Sequence, residues 1–163
     1  MEIIEFDNVY RDDLKHLGQW LRNYIVSLEN RDDDLIIYNT DTEIAEYIKE
    51  FFSSQNIIFL IKNEWKIQGY IIGKIKTENW NWSQIKKIGQ VEQLFIASEL
   101  RGKWAWKKLI ERCETHFLEK WIPHIEVSVF AKNKNAFDFY KKYGFEERFI
   151  ILDKKIIPKQ GGE

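Results

Sequence analysis

"QVEQLFIASELRGKWAWKKLIERCETHF", Gln90 to Phe117, changes period part-way along. Its first third belongs to a strand, "IGQVEQLFIA". Its last third sets Leu109, Ile110, Cys113 and Phe117 at helical spacing on one face. Between them, "ELRGKW" reads as a turn that opens a helix, the place where backbone N–H groups are free to meet an anion. A phosphate cradle usually keeps glycines there, because they give room and admit positive φ. Here Gly102 is followed by Trp104 and Trp106.

Working outward, "EIIEF" (Glu2 to Phe6) reads as a short strand. Leu14, Leu17, Leu21, Tyr24 and Leu28 recur at helical spacing. "ENRDDDL" is an acidic loop, and "TDTE" (Thr40 to Glu43) is a capping box opening a second helix through Ala45, Ile48 and Phe52. "NIIFLIKNEWKIQGYIIGKIK" reads as a hairpin turning near Asn63 and Glu64. "ENWNWSQ" is a loop. Beyond the long helix, "HIEVSVFA" alternates as a strand and "NKNAFDFYKKYG" is a short helix stopped by Gly144. "FEERFIILD" is expected to be a last strand. The order β-α-α-β-β-β-α-β-α-β predicts one α/β domain over 1–163, with a mixed twisted sheet and helices on both faces. A frayed tail is expected over 156–163.

Composition narrows the function classes. Lys+Arg 25 and Asp+Glu 26 leave a net charge of -1, so there is no electrostatic footprint for nucleic acid. No apolar run reaches the length of a membrane span, and "MEIIEF" lacks the basic region of a secretory signal. A single cysteine, Cys113, excludes an internal disulfide and fits a reducing compartment. These features point to a cytoplasmic chain without a membrane partner. His16, His116 and His124 show no metal spacing, so no metal site is expected. Monomer and homodimer are not distinguished.

This element order, the helix opened by Arg-Gly-Lys and the later "NKNAFDFYKKYGF" resemble the GCN5-related N-acetyltransferase (GNAT) family over roughly Glu2 to Lys155. The family's Q/R-x-x-G-x-G/A signature aligns with Arg101-Gly102-Lys103-Trp104-Ala105-Trp106, with Trp at both glycine-type positions. Its second hallmark is complete in Asn133, Ala136, Tyr140, Gly144 and Phe145. The resemblance implies acetyl transfer from acetyl-CoA to a primary amine. It places Glu92 as the base that deprotonates the amine, and Tyr140 as the acid toward the leaving thiolate. It gives the backbone of Leu94, Phe95 and Ile96 to the pantetheine arm and thioester carbonyl, and Asn133, with Ala136, to the cofactor arm between two strands. Read as bare sequence, Glu92 is also a solvated strand carboxylate, Tyr140 a core aromatic and Asn133 a helix cap.

The register separates the two indoles. Trp106 falls on the Leu109/Ile110/Cys113 stripe and is expected to be buried; Trp104 aligns with Lys107, Lys108 and Glu111 and is expected near solvent. Cys113, on the same stripe, is not expected to act as a nucleophile. On the acceptor side, Asp32, Asp33 and Asp34 either attract a cationic amine or form a solvated loop, and Trp80 and Trp82 floor an acceptor pocket, make a protein contact or pack down. The resemblance implies an acceptor that is a small cationic amine, a protein lysine or an N-terminus. The Trp pair leaves open an alternative, a GNAT fold that has lost CoA and serves as a binding module.

Overall fold

A computed structural model of the chain describes residues 1–28, 49–79, 81, 83–152 and 154. Strands β1 (Glu2–Glu5), β2 (Asn56–Asn63), β3 (Lys66–Thr77), β4 (Lys87–Ile96) and β5 (Ile125–Val127) form one sheet in sequential order. β1 to β4 are an antiparallel meander, and β5 joins β4 in parallel. Helix α1 (Arg11–Leu28) covers one face. Helices α2 (Ala105–Glu119) and α3 (Lys134–Lys142) cover the other.

Strand alternation sorts the core into two layers. Ile58, Leu60, Tyr70, Ile72 and Phe95 meet Leu14, Leu17 and Phe51 on the α1 side. Phe59, Ile61, Ile71 and Val91 meet Leu109, Ile110, Cys113, Phe117 and Tyr140 on the α2 side. The middle of β2 is therefore apolar on both faces. The stripe expected for α2 is the buried one, with Leu109, Ile110, Cys113 and Phe117 inside.

Two glycines let α2 approach the sheet. A Cβ at Gly73 would meet Cys113 and Phe117 at 3.1 Å, and one at Gly89 would lie 2.4 Å from the Phe117 ring. Phe117 is itself enclosed and cannot swing away. Gly89→Ala is therefore expected to cost ~1–3 kcal/mol, the usual penalty of overpacking, read as a lower Tm and denaturation midpoint. An unchanged Tm would mean that α2 tolerates a shift off the sheet.

Two expected strands differ. "HIEVSVFA" contributes only Ile125–Val127 to the ladder, because the backbone leaves β4 after Val127. The last strand does not form among the described residues: Phe145 to Leu152 have no ladder, and Ile151 is 91% exposed. Its would-be neighbour β5 offers only three paired residues, which limits the edge available for pairing. Arg148 reaches that edge with its side chain, 3.4 Å from Glu126. The capping box, the body of the second expected helix, the acidic loop, Trp80, Trp82 and the tail lie outside the described residues; the turn Glu50–Phe52 is described, with Phe51 buried.

Candidate active site

β4 is hydrogen-bonded to β3 along its length, but to β5 only from Gly89 to Val91. Past that point, no strand among the described residues covers the other edge of β4. Ala97 N donates to Gln68 O on the β3 side. Alternation then turns the backbone of Phe95 toward β3 and the backbone groups of Leu94 and Ile96 toward the open edge. The three expected backbone positions thus divide: two are free to face a ligand, and Phe95 is committed to the sheet, its side chain in the α1-side core. The Leu94 and Ile96 side chains pack against the α2-side core.

Glu92 is an extra residue in β4. Ile72 faces Gln93 and Gly73 faces Val91, so Glu92 has no opposite number on β3. Such a bulge re-aims its side chain. The carboxylate lies 2.7 Å from Lys74 Nζ, on the face where Tyr70 donates to Gln93 at 2.8 Å.

After β4 the chain makes the turn Ser98–Leu100 and passes through Gly102, at φ 76°, and Trp104, at φ 60°, into α2. Left-handed backbone is ordinary for glycine and rare for a bulky residue. At normal hydrogen-bond geometry, no acceptor among the described residues meets the amides of Gly102, Trp104, Ala105, Trp106 or Lys107. No acidic side chain sits in the first turn of α2, so the positive end of its dipole has no local carboxylate. Arg101 and Lys103 are exposed on the turn, and Ala105 is buried beneath it.

The indoles part company as expected in direction. Trp104 is 64% exposed, with Lys107 Nζ 5.8 Å from its ring centre. Trp106 is half-buried rather than enclosed. It stands edge-on to Phe139 at 3.9 Å and Tyr143 at 5.5 Å, wedged between α2 and α3 at the rim of the core.

α3 presents the second hallmark. Asn133 caps it, its side-chain oxygen accepting from Ala136 N at 3.2 Å. The same oxygen accepts from the Tyr24 hydroxyl of α1 at 3.5 Å. Ala136 packs against the α2-side core, and Tyr140 lies inside it, its ring against Phe139 and Phe145. Burial, and then the neighbouring Cys113, push the Tyr140 phenol well above its ordinary range, so it stays protonated at neutral pH. Its hydroxyl has no hydrogen-bond partner among the described residues. Since none of their fully buried side-chain polar atoms is left unpartnered, that hydroxyl reaches water. Cys113 is enclosed and its thiol is pushed up to about 12 by burial, which leaves it inert as a nucleophile.

Residues 22–149 match the family model described as an acetyltransferase (GNAT) domain. The chain belongs to the GNAT family. It is an acyl-CoA-dependent N-acetyltransferase, with acetyl-CoA as the donor. An uncharacterized N-acetyltransferase of Archaeoglobus fulgidus is 27% identical over 135 residues, covering 81% of this chain and 88% of that one. A mutant of a Bacillus halodurans protein shares the fold with a TM-score of 0.82 at 16% identity, over 96% of this chain and 100% of that one. The aminoglycoside acetyltransferase AAC(6')-Iy, in complex with the bisubstrate analogue CoA-S-monomethyl-acetylneamine, has a TM-score of 0.71 at 15% identity, over 95% and 98%. In this GNAT domain, two residues at the site had no signal in the sequence. Lys74 and Tyr24 reach Glu92 and Asn133 from β3 and α1, and only the fold makes them neighbours.

Proposed function

We propose that this GNAT domain acetylates a small cationic primary amine by direct transfer, with the donor held between the open edge of β4 and the start of α2. The observation that carries this reading is the pairing of two unsatisfied backbone surfaces. Leu94 and Ile96 leave their edge groups free where β5 departs, and the amides of Gly102 and of Trp104 to Lys107 meet no acceptor among the described residues at a helix N-terminus. The first suits an amide-bearing arm, and the second a pyrophosphate. These residues fit acetyl-CoA, which supplies an activated acyl group as a thioester.

The chain's own groups divide the remaining work. The acceptor arrives as an ammonium, since a lysine-type amine has a pKa near 10.4. Glu92, a carboxylate re-aimed by the bulge, takes its proton directly or through water. The Leu94 and Ile96 amides are fixed donors toward developing negative charge. Tyr140 Oη, held protonated by burial, keeps a proton for the leaving sulfur. Asn133 ties α3 to α1 through Tyr24 and thereby holds Tyr140's helix in place. A small-molecule acceptor is favoured by the fold shared with aminoglycoside acetyltransferases.

Acetyl-CoA at 100 times its Kd is expected to add about 2.7 kcal/mol, a rise in Tm of roughly 5–10 °C for a chain of this size. Pantetheine fragments lacking the pyrophosphate should shift it less. No shift at millimolar acetyl-CoA would overturn the reading. Thiol release with neamine, spermidine and a lysine peptide then separates acceptor classes: transfer only to the peptide removes the small-molecule part.

A further inference from the structure

We propose that Lys74 is a positioning residue for Glu92, fixing the direction of its carboxylate. The inference deepens the reading of Glu92 as base and rests on it. Lys74 lies opposite Gln90 in the β3–β4 register, on the face shared with Tyr70 and Ile72. The bulge inserts Glu92 one step beyond, and both bulge side chains are then caught by β3. Tyr70 holds Gln93 at 2.8 Å, and Lys74 holds Glu92 at 2.7 Å.

The neighbouring charges are already engaged. Lys76 lies 3.0 Å from Glu78 and 3.1 Å from Glu126, and Arg148 lies 3.4 Å from Glu126. β5 thus turns its carboxylate to those cations. α1, packed further along this face, buries Leu14, Leu17 and Gly18, none of them charged. Among the described residues, Lys74 is the cation paired with Glu92. Both partners remain about one-third exposed, so the pair contributes little to folding. Its effect is directional: a carboxylate re-aimed by the bulge and tethered at 2.7 Å is held along one line, where an untethered glutamate would sample several rotamers.

The test separates positioning from folding. Lys74→Met should keep the parent Tm and the parent's rise in Tm with acetyl-CoA, while kcat/KM for acetylation of an accepted amine falls several-fold. Lys74→Arg, which keeps a cation at the end of a long side chain, should restore most of that loss. In a Glu92→Gln background, Lys74→Met should cost nothing further, because the pair is already broken. Parent-like kcat/KM in Lys74→Met, or a further loss in the double variant, would overturn the inference and leave Glu92's role intact. Undiminished turnover in Glu92→Gln would instead remove the base itself.

Discussion

Tyr140→Phe is expected to lower kcat by ~10²–10⁴, the usual contribution of a general acid, while the fold stays intact. The substitution keeps the ring, and with it the contacts to Phe139 and Phe145 at the heart of the α2-side core. The lost hydroxyl has no hydrogen-bond partner among the described residues, so nothing is orphaned by its removal. Stability and rate should therefore separate: an unchanged Tm with a collapsed kcat. Affinity for acetyl-CoA, measured by calorimetry, should hold, because the proposed contacts to the donor are backbone groups elsewhere. The raised phenol pKa adds a pH signature. Tyr140 stays protonated through neutral and mildly alkaline pH, so no loss of rate there should come from its ionisation. If Tyr140→Phe turns over at the parent rate, Tyr140 is a core aromatic and the proton comes from elsewhere.

The sequence makes visible what depends on local period. The α2 stripe, the α1 face and the hairpin follow from spacing alone, and the structure places Leu109, Cys113 and Leu14 where the spacing requires. Alternation, however, says which face a residue takes and not whether a neighbouring strand is present. That is why "HIEVSVFA" looks like eight residues of strand and pairs over three. The early departure of β5 leaves the edge of β4 open past Val91, and no residue type in that segment announces it. The Glu92 bulge is equally silent, since an extra residue in one strand is defined only against its partner. Lys74 and Tyr24 illustrate the same limit, because their partners are brought to them by the sheet and by α1 crossing to α3. Asn133 was legible as a helix cap, and the structure displays that cap.

Trp106→Ala should lower stability, and Trp104→Gly should not. Trp106 fills the angle between α2 and α3, edge-on to Phe139 and Tyr143. Truncating a fully buried Trp costs ~3–5 kcal/mol; half-buried at the rim, Trp106 should cost about 2–3. The cavity also frees α3, so kcat should fall with Tm as Tyr140 and Asn133 lose their fixed seat. Trp104 is different in kind. Its register suggests a residue on the polar face of the helix, where glycine would cost ~1 kcal/mol. The structure instead puts it outside the helix, at the N-cap, with φ 60° and no side-chain cap. A left-handed conformation costs a bulky L-residue ~1–2 kcal/mol and glycine almost nothing. Glycine's greater freedom in the unfolded chain returns ~0.4–1 of that. Trp104→Gly is therefore expected to be neutral or stabilising by up to about 1 kcal/mol, and to bind acetyl-CoA at least as tightly, since the amides stay and an exposed indole beside them is gone. Denaturation curves and calorimetry on the two variants decide it. Weaker acetyl-CoA binding in Trp104→Gly at undiminished stability would make the indole a wall of the site, and the strained backbone would then be what the chain accepts to keep it there.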